Sequence, residues 1–512
     1  MNVGLSINRN AIRNPNSVAL FGHRVITYEE LDKYTNQVAN YLISKGLHKG
    51  ERVAVLLANR AEVVELLGGI TKSSLIYIGL NFRLGPKEME QIFANSQPSL
   101  VFTDTEHYYQ IEGLANNLGI SVINIDDEVW KSEIGDTSEK LPAQVHSISH
   151  NDDFCIVYTS GTTGRPKGVL FDHARVLNHG MIACLEYEIT PESRYLIQIP
   201  HNSSVNITIV PCLMVGASMG FRDSRNFDPE GFANQVNEDK VTHSFLVPTQ
   251  LMRMLEQLPA KDDKKLSGMV TLGYGSSPIS PERLKELVSR FGLIFNQLYG
   301  MAEIASIGTI LRKVDHSLGL SDKPELLSSC GQPSLGVDVR VVDDQGEQVS
   351  QGDRGEVVFF GPHVMKGYYG DPERTQEVLK NGWMYSGDIA EVDKNGFIYI
   401  VDRKKNLIIR GGLNIAPTEI ENVLYRHDSI AEVAVIGVPD PEWGESILAF
   451  VSIKDGYEIK ANALMKFCKD SELTSIKIPE RIEILPELPK NAVGKIAKAE
   501  IRSAYWGSGR QV

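Results

Sequence analysis

The chain has 512 residues, of which 42% are apolar and 23% charged, and its net charge is -13. That length exceeds what a single hydrophobic core supports, so at least two domains are predicted, and the composition is that of a globular chain rather than a disordered one. The acidic total excludes phosphate-backbone binding as the main task, because that needs a dense positive field; a small nucleotide held by local donors stays possible.

From the N-terminus, MNVGLSINRNAIRNPNS has no apolar core of signal-peptide type. Thr27-Tyr-Glu-Glu30 reads as a capping box opening an amphipathic helix to about Leu42. Arg52 to Leu57 reads as a buried strand, and Leu100 to Thr103 and Ser121 to Ile125 are strand-like. Strands alternating with helices imply parallel sheets covered on both faces, so roughly the first 400 residues form a large α/β body. The apolar stretch Val205 to Phe221 is interrupted by Asn206, Thr208, Pro211 and Ser218 and reads as core. No run of about 18 apolar residues occurs, so no membrane-spanning segment is expected. From about Val337, short strands with Asp-Gly and Asn-Gly turns indicate antiparallel hairpins. Beyond Arg403 a final segment has its own strand and helix patterns, with the boundary at Asp402–Lys405. Cys155, Cys184, Cys212, Cys330 and Cys468 are odd in number and widely spaced, which suits reduced thiols in a cytoplasm.

The strongest local signal is Tyr158-Thr-Ser-Gly-Thr-Thr-Gly-Arg-Pro-Lys-Gly168, which leaves the strand-like FCIVY. Its glycines allow close backbone approach to an anion, its hydroxyls donate, and Lys167 adds charge, as a polyphosphate requires. The spacing is not that of a Walker loop.

TSGTTGRPKG resembles the phosphate loop of the adenylate-forming superfamily, which includes acyl- and aryl-CoA ligases, luciferases and peptide-synthetase adenylation domains. Further blocks follow in that family's order over nearly the whole chain: ITYEEL, KSSLIYIGLNFRL, Tyr299-Gly-Met-Ala-Glu303, Tyr385-Ser-Gly-Asp388, Asp402 to Glu421, and Pro489 to Lys495. The resemblance implies an N-terminal adenylation domain, 1–402, built of parallel-sheet α/β subdomains plus a small β-subdomain. It also implies a small mobile C-terminal α/β lid, 403–512, swinging at Lys405.

It further implies ATP and Mg2+, with Thr159, Ser160, Gly161, Thr162, Thr163, Gly164, Lys167, Ser276, Tyr299, Gly300, Met301, Ala302, Glu303, Asp388, Arg403 and Lys495 at the nucleotide. Lys495, Glu303 and Thr162 are the implied catalytic set, and Glu303 is the implied metal-side carboxylate. His201, Asn202 and Ser203 would border the acid. These neighbours are polar for an alkyl pocket, which favours a small, polar or aromatic carboxylic acid. Ala302 departs from the commoner threonine of its block and removes one hydroxyl contact.

Pro439-Asp-Pro-Glu-Trp-Gly-Glu445 resembles a block of CoA ligases. It places Trp443, with Gly411 and Gly412, near coenzyme A. The expectation is therefore an AMP-forming acid:CoA ligase. A stand-alone adenylating enzyme loading a separate carrier protein, and a degenerate nucleotide-binding protein, are the alternatives. The partners expected are the carboxylic acid, ATP and coenzyme A, with no nucleic acid. Sequence leaves monomer and homodimer equally open.

Overall fold

The computed structural model describes residues 2–159, 166–490 and 496–506, apart from the side chains of Ser204, Asn206 and Ala499. The chain divides into two compact units. The first comprises Met1–Val339, Val358–Tyr385 and Asn395–Phe397, and the second Arg340–Val357, Ser386–Lys394 and Ile398–Val512.

The first unit holds two large sheets. One has seven strands in the order Gly367–Tyr368, Lys167–Asp172, Asp153–Thr159, Ile76–Leu80, Arg52–Leu56, Leu100–Thr103 and Ser121–Asn124. The last five pair in parallel, and Ile76–Leu80 is buried along its whole length, as expected for a strand covered on both faces. The first two pair antiparallel. The second sheet has nine strands, with Arg194–Ile197, Ser218–Phe221, His243–Leu246, Thr271–Gly275 and Phe295–Tyr299 among its parallel members.

The capping box forms as its residues predict. Thr27 Oγ1 accepts from the Glu30 N–H at 3.2 Å, Glu30 Oε2 accepts from the Thr27 N–H at 2.8 Å, and the helix runs Tyr28–Ser44. That helix packs on Glu62–Lys72, where the fully buried Lys72 ammonium donates to Asp32 Oδ1 at 2.6 Å, Thr35 Oγ1 at 2.7 Å and Asn36 Oδ1 at 2.7 Å. The apolar stretch after Pro200 is buried. It folds as a short helix His201–Ser204, a π-helical turn Val205–Ile209, a helix Val210–Val215 and the strand Ser218–Phe221. A π-helical turn inside a helical run is uncommon and often accompanies a functional site.

In the second unit, Ile430–Asp440 pairs antiparallel with Gly444–Ile453, and Arg481–Ile484 adds in parallel. Both faces are covered. Val433, Val435, Ile447, Ala449 and Val451 join Ile420, Leu424 and Leu464 in one core, while Ala434, Ile436, Leu448 and Phe450 join Leu488 and Ile501 in another. The period-two alternation of a strand therefore reads as one continuous apolar run, Val433-Ala-Val-Ile436 in the sequence, because each alternate residue has its own core. Among the described residues no helix is long and apolar enough to cross a membrane, and no disulfide joins the cysteines.

Candidate active site

In the first unit, the candidate nucleotide residues lie at strand ends. The parallel strands Thr271–Gly275 and Phe295–Tyr299 are in register, with Gly275 opposite Leu298, so Ser276 and Tyr299 leave them side by side. The space beyond the carboxyl ends of parallel strands is where α/β folds bind ligands. Ser276 has a φ of 75°, and Ala305 and Ser306 have 48° and 84°. Left-handed backbone at non-glycine residues costs energy and clusters at functional sites. Sequence reading singled out Ser276 but missed Ala305 and Ser306, because nothing in their side chains announces that conformation.

Tyr299 is half-buried, its ring 5.9 Å from that of Phe359. Past Gly300 and Met301 the chain forms a single 3-10 turn, Ala302–Ile304, and doubles back. The Ser306 N–H reaches the Met301 carbonyl at 2.9 Å, and the Gly308 N–H reaches the Tyr299 carbonyl at 3.0 Å. Only glycine fits at 300, since a Cβ there would lie 2.3 Å from the Ser306 carbonyl oxygen. Glu303 is buried, and its Oε1 accepts from the Tyr368 hydroxyl at 2.6 Å.

The phosphate-loop block sits on an antiparallel pair, with Thr159 opposite Lys167. Ser160, Gly161, Thr162, Thr163 and Gly164 lie outside the described residues, as does Lys495. Lys167 is half-buried, its ammonium 5.0 Å above the centre of the Tyr368 ring. Tyr368, absent from the predicted set, thus touches both Lys167 and Glu303. The signal for it in the sequence is the aromatic pair in KGYYG.

His201, Asn202 and Ser203 open the short helix after Pro200. His201 is fully buried: its Nδ1 lies 3.0 Å from the Tyr77 hydroxyl and its N–H donates to Asn59 Oδ1 at 2.9 Å. Burial pushes its pKa down to about 4, so the ring is neutral. Asn202 is half-buried, and its side-chain oxygen is buried with no hydrogen-bond partner among the described residues. Ser203 is exposed.

In the second unit, Asp388 and Arg403 are cross-strand partners on Trp383–Val392 and Ile398–Arg403. Asp388 is 5% exposed, and its Oδ1 accepts from Arg403 Nε at 2.5 Å. The Asp388 N–H donates to Ser386 Oγ at 3.0 Å. Asp402 is buried and accepts from the Thr418 N–H at 3.0 Å and its hydroxyl at 2.6 Å. Lys405 follows in the exposed 3-10 turn Lys404–Asn406, with its carbonyl accepting from Arg502 at 3.2 Å.

Gly411 and Gly412, with φ of 55° and 78°, turn the hairpin Ile408–Arg410 to Leu413–Ile415. The Gly411 N–H donates to the Trp443 carbonyl at 2.8 Å, and a Cβ on Gly411 would sit 2.9 Å from the indole. Trp443 is 43% exposed, and the Arg410 guanidinium lies 5.4 Å from its ring. Arg410 is anchored by the Ile476 carbonyl at 2.8 Å and by Glu480. The turn before Trp443 is capped by Asp440 Oδ1, which accepts from the Glu442 and Trp443 N–H groups at 2.9 and 2.8 Å. Those bonds hold the Asp440 carboxyl below its ordinary pKa. Two surface cavities of about 500 Å3, one lined by Leu255, Arg283 and Arg290 and one by Val438, Glu480, Arg481 and Tyr505, contain none of the predicted site residues.

The sequence profile described as AMP-binding enzyme matches residues 7–369, and that described as AMP-binding enzyme C-terminal domain matches residues 419–495. The chain is 34% identical over 501 residues to a feruloyl-CoA synthase from an Amycolatopsis species, covering 97% of this chain and 98% of that protein. It is 32% identical over 502 residues to the fatty acid–[acyl-carrier-protein] ligase ScoC of Streptomyces coeruleorubidus, covering 96% and 93%. Among solved structures, ATP-bound MatB from Rhodopseudomonas palustris matches with a TM-score of 0.88 at 26% identity, covering 99% of each chain.

Proposed function

This chain belongs to the AMP-binding enzyme family, and from that premise we propose that it is an ATP-dependent, AMP-forming ligase that adenylates a small, polar or aromatic carboxylic acid and passes the acyl group to coenzyme A. The observation that carries this reading is the meeting of the phosphate-loop lysine and the Glu303 carboxylate on one tyrosine ring.

The chemistry follows from charge. A carboxylate is a poor electrophile, and its attack on the α-phosphorus of ATP brings anions together as pyrophosphate departs. A site for that step needs donors and cations where negative charge grows, and the sequence of the phosphate loop carries both, in its serine and threonine hydroxyls and in Lys167. Glu303, held in one orientation by Tyr368, fits Mg2+, which takes one or two carboxylates, completes its shell from phosphates and water, and would neutralise phosphate charge. Asp388, fixed by Arg403, suits the ribose hydroxyls because one carboxylate accepts from both. In the second step the coenzyme A sulfur takes the acyl carbon and AMP leaves. The half-exposed Trp443 beside the Gly411–Gly412 turn offers a stacking surface for the coenzyme's base.

We assign residues 1–402 to adenylation and 403–512 to a lid that turns at Lys405, with Lys495 arriving in the adenylating pose. Gating of this kind needs only a few backbone dihedrals to change, and Lys405 lies in the short exposed 3-10 turn Lys404–Asn406 where such a change meets little packing. The buried, unpartnered oxygen of Asn202 supports a polar acid, since a hydroxyl or N–H on the substrate would satisfy it. Aromatic acids of the feruloyl type are the first to test. Five cysteines without a disulfide suit a cytoplasmic protein.

The test is a panel of aromatic, short-chain and dicarboxylic acids assayed for acid-dependent pyrophosphate exchange and coenzyme A-dependent AMP release. Exchange and thioester with at least one polar or aromatic acid are expected. Exchange without thioester, followed by transfer to a carrier protein, would move the assignment to the carrier-loading alternative. No exchange with any acid would leave a nucleotide-binding protein without ligase activity.

A further inference from the structure

Tyr368 stands where two candidate ATP residues, far apart along the chain, come together. Its hydroxyl donates to Glu303 Oε1 at 2.6 Å, and its ring lies under the Lys167 ammonium at 5.0 Å. The side chain is 6% exposed and has little freedom to move. The strand Gly367–Tyr368 pairs with Lys167–Asp172, setting Tyr368 opposite Val169. The Tyr368 N–H donates to Thr375 Oγ1 at 2.9 Å, and the Tyr369 N–H donates to the Gly168 carbonyl at 2.7 Å. From the same strap the Met365 N–H donates to the Glu303 carbonyl at 2.7 Å. Glu303 is therefore gripped at its backbone and at its carboxylate by one segment, and that segment is stitched to the strand carrying Lys167.

We propose that Tyr368 is a positioning residue of the triphosphate site: its hydroxyl aims the Glu303 carboxylate at the metal bound to ATP, and its ring fixes Lys167 at the base of the phosphate loop. The proposal rests on the nucleotide-binding reading given above. A phenol–carboxylate bond in a buried place holds the carboxylate in one rotamer, and a cation above an aromatic face is held in one direction without being neutralised, as an ion pair would do.

The test uses the full-length protein and ATP itself, titrated by calorimetry in Mg2+ and in EDTA, for wild type, Tyr368→Phe, Tyr368→Leu, Glu303→Gln and the double variant Tyr368→Phe/Glu303→Gln. Tyr368→Phe keeps the ring and should fold. It is expected to weaken ATP binding about ten-fold in Mg2+ while leaving binding in EDTA unchanged, because only the metal-side carboxylate is released. Tyr368→Leu, which also removes the ring beneath Lys167, should weaken binding in both media. The double variant should bind no more weakly than Glu303→Gln alone, since both changes act through one carboxylate. Three results would overturn the proposal: wild-type affinity of Tyr368→Phe in Mg2+, equal loss in both media, or full additivity with Glu303→Gln. Wild-type protein that binds no ATP in either medium would instead overturn the nucleotide reading on which the proposal stands.

Discussion

Replacing Gly300 by alanine tests whether the Tyr299–Glu303 turn must keep its present shape. Gly300 is not in the left-handed region, so alanine brings no dihedral penalty, only a methyl group. That methyl would lie 2.3 Å from the Ser306 oxygen, 2.6 Å from its carbonyl carbon and 3.1 Å from the Gly308 nitrogen. All three are backbone atoms, so no rotamer change relieves the contact, and the turn must open by about 1 Å to reach ordinary van der Waals separation. Overpacking of this kind costs about 1–3 kcal/mol, and at about 2–4 °C per kcal/mol for a large domain the melting temperature should fall by several degrees. The turn carries Glu303, and a displacement of about 1 Å in a catalytic arrangement can cost about 10²-fold in rate. Thermal melts and acid-dependent pyrophosphate exchange on the same preparation separate the two effects, since exchange is read well below the melting temperature. A Gly300→Ala protein that melts lower but exchanges like wild type would refute the claim that the turn positions reacting groups.

Trp443→Ala should raise the KM for coenzyme A and leave pyrophosphate exchange unchanged. Stacking on a base contributes about 1–3 kcal/mol, so a rise of about five- to a hundred-fold is expected in thioester assays with varied coenzyme A. A matching loss of exchange would contradict it. The pH dependence of stability should reflect the buried histidines. Burial pushes the pKa values of His173, His243 and His316 down to about 4, against about 6.5 in the unfolded chain. Between those values the unfolded state binds more protons, so stability is full above about 6.5 and is lost as pH falls toward 4. Each histidine contributes on the order of 1–3 kcal/mol, measurable as a falling urea midpoint. His316→Gln, at the ring that meets the Tyr274 hydroxyl at 2.9 Å, should flatten that slope, and an unchanged slope would show that His316 is not part of it.

Much of the architecture was legible because its causes are local. The Thr27–Glu30 box closes within one helical turn. The strand before the phosphate loop, Asp153–Thr159, declares itself by its apolar run and by the glycines that follow. The paired positions of Asp388 and Arg403 needed the register of two strands, which the Asp-Lys-Asn-Gly turn connecting them foreshadows. The acid-side segment was less legible. Polar residues at 201 to 203 suggest a lining; in the structure His201 is a buried ring hydrogen-bonded to Tyr77, Ser203 is exposed, and the Asn202 side-chain oxygen is buried with no hydrogen-bond partner among the described residues.

By itself the chain's order of residues determined which segments become strands, helices and turns and which blocks are equipped to hold a nucleotide, because hydrogen bonding and alternation act between near neighbours. Tertiary structure alone decided that Lys72 is sealed in the interior among Asp32, Thr35 and Asn36, and that Ser276 and Ser306 are held in left-handed backbone. It also decided that Tyr368 reaches Glu303 and Lys167 at once. Those outcomes depend on which strand ends arrive side by side, and that is settled by burial summed over the whole core rather than by any local pattern.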